Sequence, residues 1–127
     1  MKIIECVPNI SEGRNIDVIN QVVDTIKNDK NVHLLDVDSG FDTNRTVITF
    51  VGEPNFVVNA AFNLIRKASE LIDMSKHEGA HPRMGATDVC PLIPVKNISI
   101  KECVKYSKEL GRKVSNELNI PIFLYEF

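Results

Sequence analysis

The spacing of apolar residues changes several times along the chain, and each change marks an element. Lys2–Val7 is short, apolar-rich and stopped by Pro8, which predicts a strand. Asn9–Arg14 (NISEGR) is rich in turn formers and predicts a loop. Val18, Ile19, Val22, Val23 and Ile26 then recur at helical spacing, and Asn28-Asp29-Lys30-Asn31 ends that helix. Val32–Asp38 predicts a second strand. Ser39–Asn44 predicts a turn in which Gly40 is free to take positive φ. Arg45–Val51 is β-branched and aromatic, a third strand and the hairpin partner of the second.

Pro54 suits the first position of a helix. Phe56, Val57, Ala60, Ala61, Leu64, Ile65, Ala68 and Leu71 then line one face of it. From Met74 to Ala86 the periodicity collapses around Gly79, Pro82 and Gly85, which predicts a loop. Thr87–Val95 predicts a strand that Pro91 and Pro94 push toward a sheet edge or shorten. Ser99-Ile100-Lys101-Glu102 fits a capping box. It opens a helix whose apolar side is Ile100, Cys103, Val104, Leu110, Val114 and Leu118. Ile120–Tyr125 predicts a last strand. The order β-α-β-β-α-β-α-β, with one hairpin, predicts an α/β layer in which helices pack on a mixed sheet. No repeat, linker or low-complexity tract interrupts it.

Composition narrows the function classes. The 127 residues suit one domain with its own core. The apolar share of 43% and charged share of 25% are those of a soluble globular domain. A net charge of −2 gives no electrostatic footprint for nucleic acid. No apolar run reaches the length of a membrane span, and Met1-Lys2-Ile3-Ile4-Glu5 meets charge too early for a signal peptide. Three cysteines, Cys6, Cys90 and Cys103, with no C-x-x-C, are expected to be reduced thiols of a cytosolic protein, acting as small buried hydrophobes.

The segment HEGAHPRMGATD (His77 to Asp88) contains His77-Glu78-Gly79-Ala80-His81, a match to the zinc-protease pattern H-E-x-x-H. That pattern works only when both histidines share one face of a continuous helix. Gly79 costs about 1 kcal/mol in a helix. Pro82 pushes His81 out of the α region and cannot donate a helical bond. No third histidine follows, and His33 sits in a distant strand. A metal site is therefore not expected, and His77-Glu78 reads as a solvated loop face. His81, between flexible Gly79-Ala80 and rigid Pro82, is a candidate acid/base group because its unperturbed pKa lies near neutrality. From the residues alone, a structural or exposed histidine remains an open alternative.

Three longer stretches carry a resemblance. ECVPNISEGRN at 5–15, LLDVDSGFDTNRTVITFVGEP at 34–54 and LIDMSKHEGAHPRMGATDVCPLIPV at 71–95 closely resemble the N-terminal subdomain of the glutamate formimidoyltransferase family, the transferase half of formimidoyltransferase-cyclodeaminase. The likeness runs through the whole chain to its IPIFLYEF ending. It implies a ferredoxin-like α/β subdomain spanning 1–127, a related C-terminal subdomain, a folate cleft between the two, and a homodimer. It implies transfer of a formimino group from N-formimino-L-glutamate to tetrahydrofolate in histidine breakdown, with tetrahydrofolate as co-substrate and no metal. His81 matches the family's catalytic histidine, and Asp38 its acidic residue in D-V-D-x-G. Asn9, Asn44, Arg45 and Arg83 lie inside the matched motifs and are candidate contacts to substrate or folate, with Arg14 a further candidate. Ala80 replaces the glutamate usual beside that histidine, which removes one nearby carboxylate.

The chemistry calls for such residues. The donor is a cationic amidine. Attack by N5 of tetrahydrofolate gives a tetrahedral intermediate, so one proton must leave N5 and one must reach the departing glutamate nitrogen. One histidine can do both in turn. A carboxylate such as Asp38 can hold the cationic group or raise the basicity of His81. Arginines can pair with the glutamate carboxylates of both substrates. Asn9, at a strand end, is a candidate polar contact, although an Asx turn would also explain it. A stand-alone module that binds folate or a small acid without turnover, and a pure interaction protein, remain the competing readings. A lone half cannot build both walls of a cleft, so weak folate affinity is expected of this chain by itself.

Overall fold

The computed structural model describes residues 1–76 and 85–119. The expected last strand at 120–125 lies outside them, as do His77, His81 and Arg83.

The first strand is bent rather than ended by its proline. β1 (Ile3–Cys6) and β2 (Asn9–Ile10) both pair antiparallel with β4 (Arg45–Gly52), Cys6 opposite Phe50 and Asn9 opposite Val47. Between them Pro8 has no N–H to give. Its carbonyl still accepts from Ile48 N at 3.0 Å, so the pairing survives the bend. Asn9–Ile10 is thus strand, where the turn-forming composition predicts loop. The cause is tertiary: β4 offers a partner edge that the local sequence does not advertise.

β3 (Val32–Gly40) forms the expected hairpin with β4, with a bulge between Leu34 and Asp36. The residue with positive φ at this turn is Asn44 (φ 51°), not Gly40, and no described glycine has positive φ. Asparagine tolerates the left-handed region when its side chain finds a local bond. The predicted strand 87–95 is two pieces, β5 (Thr87–Val89) beside β2 and β6 (Leu92–Lys96) beside β1. Cys90-Pro91 is the break, and Pro91 O accepts from Val7 N at 3.1 Å.

The six strands form one curled sheet. All its recorded pairings are antiparallel, which corrects the expected mixed sheet. The reason is geometric. The crossover through α1 (Ile16–Lys27) does bring β3 back parallel to β1, but β4 slots between them and converts both contacts to antiparallel ones.

The helices α1, α2 (Pro54–Leu71) and α3 (Ile100–Leu118) share a single hydrophobic core with the sheet. Side chains alternate along a strand, so Ile4, Cys6, Ile10, Ile48 and Phe50 point into that core and are fully buried. Ile19, Val22 and Ile26 of α1, Val57, Leu64 and Ala68 of α2, and Cys103, Leu110 and Val114 of α3 meet them. Two residues assigned to apolar helix faces are largely exposed, Phe56 at 41% and Ile100 at 53%. Each sits in the first turn of its helix. Asn15 caps α1 through its side chain, and Ser99 with Glu102 forms the predicted capping box on α3.

Candidate functional site

The alternation that buries one face of the sheet opens the other. Opposite residues in a pair share a face, so the strand registers fix cross-strand rows. One row reads Asp38, Val47, Asn9, Val89 across β3, β4, β2 and β5. Asp38 and Asn9 therefore lie on the face away from the helices, one strand apart, or about 10 Å by strand spacing. Arg45 shares that face two residues along β4 from Val47, about 7 Å by the strand rise, opposite Gly40. Asp38 is exposed, and Asn9 and Arg45 are half-buried. The next rows add Asp36 opposite Thr49, then His33, Val51, Glu5 and Ile93. Glu5 and Asp36 were not singled out from the sequence. The signal available was their odd–even phase relative to Asp38 and Asn9, which the register with β4 keeps unbroken across Pro8 and from Asp36 to Asp38; the bulge at Leu35 shifts only the residues before it.

Asn9 is anchored by its side-chain amide, whose nitrogen donates to Val7 O at 3.1 Å. Asn44 is placed differently. It is buried, and its Oδ1 accepts from Gly13 N at 2.8 Å. This bond ties the Ser11–Asn15 loop to the hairpin turn. Gly13 lies so close to that turn that a Cβ would stand 2.2 Å from Gly40 O and 2.6 Å from Arg45 N. Thr46 Oγ1 donates to Glu12 O at 2.5 Å, and it also meets Ser39 Oγ at 3.0 Å. Arg14 is engaged at the same turn: its Nε donates to Phe41 O at 2.8 Å, and its guanidinium sits 5.0 Å above the Phe41 ring. The structure thus brings Asn9, Asp38 and Arg45 to one face, and uses Asn44 and Arg14 to hold the loop and hairpin that frame it.

The segment expected to carry the acid/base histidine lies outside the described residues, but its return is fixed. Ser11 Oγ donates to Gly85 O at 2.5 Å, and Ser11 N donates to Ala86 O at 2.8 Å. Both contacts sit beside Asn9 at the end of β2. A cleft of ≈ 280 Å³ opens at this end on the helix side, lined by Ser11, Glu12, Asn15, Asn44, Leu71 and Asp73 among others. Its carboxylates accept local hydrogen bonds. Glu12 Oε2 accepts from Arg14 N and Asn15 N, each at 3.0 Å, and Asp73 Oδ1 accepts from Ser75 N at 3.0 Å. Neither Asp38, Asn9 nor Arg45 lines it, so the polar row of the open face is the better candidate for chemistry.

The three cysteines are free thiols; Cys6 and Cys103 are buried and Cys90 half-buried. Burial, reinforced by the neighbouring Cys90 thiol, pushes the Cys6 thiol well up. Burial also raises Cys103. No described helix is long and apolar enough to cross a membrane.

Known proteins resemble this chain along nearly its whole length. The chain is 54% identical over 98% of its length to the glutamate formimidoyltransferase of Streptococcus pyogenes serotype M1, and covers 42% of that protein. It is 46% identical over 98% of its length to the glutamate formimidoyltransferase of Thermoplasma acidophilum, covering 41% of it. It is also 54% identical to the formimidoyltransferase-cyclodeaminase of Dictyostelium discoideum, of which it spans 23%. The chain therefore spans less than half the length of these relatives. The family model for the N-terminal subdomain of the formiminotransferase domain matches residues 3–127, and this chain belongs to that family.

Proposed function

We propose that this chain is the N-terminal half of a transferase that moves a formimino group from N-formimino-L-glutamate to tetrahydrofolate, and that the chemistry takes place over the open face of its sheet. The observation that carries the reading is the row on which Asp38 and Asn9 flank Val47, with Arg45 beside it. These are a carboxylate for the amidinium, an amide for polar contact and a guanidinium for a glutamate carboxylate.

In this reading N5 of tetrahydrofolate attacks the amidinium carbon while Asp38 balances its positive charge. His81 takes the N5 proton and returns it to the glutamate nitrogen as the C–N bond to glutamate breaks. Arg45 and Arg83 hold substrate carboxylates. Asn44 acts through Gly13, keeping the loop and hairpin in register rather than touching the ligand. Three residues separate His81 from Gly85, which Ser11 pins beside Asn9; this short tether supports a role for His81 at the same end of the sheet.

The second wall of the site comes from a C-terminal subdomain seated on the open face. Two observations support this: the relatives extend well beyond the matched length, and half-buried Val47 and Val51 and exposed Ile93 leave apolar surface among the polar and charged positions of that face. The ferredoxin-like reading of the fold is supported by the pairing order, in which the β1–β2 strand lies between β4 and the β5–β6 strand, with β3 outermost.

The test uses the complete protein that carries this chain, assayed with formiminoglutamate and tetrahydrofolate. His81→Ala is expected to lower turnover by about 10²–10⁴-fold, the span of a lost acid/base group, with the unfolding midpoint unchanged. Turnover at the unsubstituted rate would remove His81 from the mechanism. Failure of the unsubstituted protein to transfer the group while still binding folate would favour a binding module instead.

A further inference from the structure

Cys6 and Cys90 are separated by 84 positions in sequence, yet their sulfurs stand 3.5 Å apart. The proposed transfer uses neither thiol. Cys6 ends β1, where it pairs with Leu92 of β6 and faces the core. Cys90 occupies the break between β5 and β6. That break is held against β1 by the bond from Val7 N to Pro91 O. The two sulfurs therefore approach across neighbouring strands at a point where the edge strand already departs from regular pairing. A disulfide needs its sulfurs at about 2.05 Å. The remaining approach is about 1.5 Å, and rotation about the side-chain bonds at an irregular break can supply it.

We infer that Cys6 and Cys90 form a reversible redox staple, closed by thiol–disulfide exchange with a small-molecule disulfide, that locks β1 to the break between β5 and β6. The exposures of the two thiols set the order of events. Half-buried Cys90 is the point of entry. Its thiolate attacks the small disulfide, forming a mixed disulfide and releasing one small thiolate. The Cys6 sulfur then attacks the Cys90 sulfur. The second small thiol leaves, taking up the Cys6 proton, and a Cys6–Cys90 bond remains. In sum two protein thiols are oxidised and one small-molecule disulfide is reduced to two thiols. Burial holds Cys6 as the neutral thiol, so the second step is the slower one and quickens with rising pH. Buried Cys103, on α3, takes no part.

The experiment treats the folded chain with oxidised glutathione, blocks the remaining thiols with N-ethylmaleimide, and maps the peptides by mass. The expected product is one cross-linked Cys6–Cys90 peptide pair, lighter by two hydrogens and restored by dithiothreitol, with Cys103 alkylated only after denaturation. Because the bond closes a long loop, the oxidised chain is expected to melt about 10 °C higher. Cys90→Ser is expected to leave Cys6 resistant to glutathionylation, since the entry thiol is gone. A stable mixed disulfide at Cys90 that never resolves would overturn the staple. So would oxidation of Cys103 before the pair, or glutathionylation of Cys6 in folded Cys90→Ser.

Discussion

Asp38 and Asn9 face one another across Val47, each registered to it from an opposite side of β4. Nothing in their sequence separation suggests this, and it sets a carboxylate and an amide on the same open face. Asp38→Asn in the complete protein keeps the shape and removes the charge. The expected result is a fall in kcat/KM of about 10²-fold, the scale of losing one preorganised electrostatic partner, with stability unchanged because Asp38 is exposed. Equal rates for the two proteins would refute a role for Asp38 in the transfer.

Gly13 reports on how closely the loop and hairpin approach. Gly13→Ala places a methyl 2.2 Å from a backbone oxygen that has no flexible side chain to move. Overpacking of this kind costs about 1–3 kcal/mol. Urea denaturation should show a lowered midpoint with little change in slope. A midpoint within error of the parent would mean the two backbones do not pack as described.

Asn44 separates a framing residue from a ligand contact. Asn44→Ala leaves the buried Gly13 N–H without its acceptor, at a cost of about 1–3 kcal/mol, and forces a left-handed backbone on alanine. Asn44→Asp keeps the acceptor and should retain most of the stability. If the alanine variant unfolds at the parental midpoint while losing folate affinity, Asn44 touches the ligand and the framing role is wrong.

The buried thiols give the protein an alkaline limit. A free thiol titrates near 9.0, and burial holds Cys6 well above that in the folded chain. Above the unfolded value the unfolded chain has lost a proton that the folded chain keeps, so stability falls as pH rises. The contribution of Cys6 is complete below about pH 9 and declines above it by at most about 1.4 kcal/mol per pH unit, with Cys103 adding in the same sense. Denaturant midpoints measured across this range should fall for the parent and fall less for Cys6→Ala. Parallel curves would show that Cys6 ionises as readily in the folded chain as in the unfolded one.

Local chemistry was enough for much of this protein. The three helices follow from apolar spacing, the Ser99 capping box and Pro54 at a first turn, because helix signals are carried by residues within a few positions of one another. The β3–β4 hairpin was equally legible. The matches around VPNISEGR, DVDSGFDTNRT and GAHPRMGA named the family, since long ordered stretches are specific in a way that H-E-x-x-H is not. What lay beyond the sequence was pairing. Whether Asn9–Ile10 is loop or strand depends on β4, and whether 87–96 is one strand or two depends on where β1 bends. The choice of an all-antiparallel sheet came from β4 entering between β1 and β3. That pairing also chose the face of Asp38 and the partner of Asn44, and β6 lying beside β1 brought Cys6 to Cys90. A strand's side chains alternate by a fixed rule, but which side becomes the core is decided by which distant strands supply its hydrogen bonds.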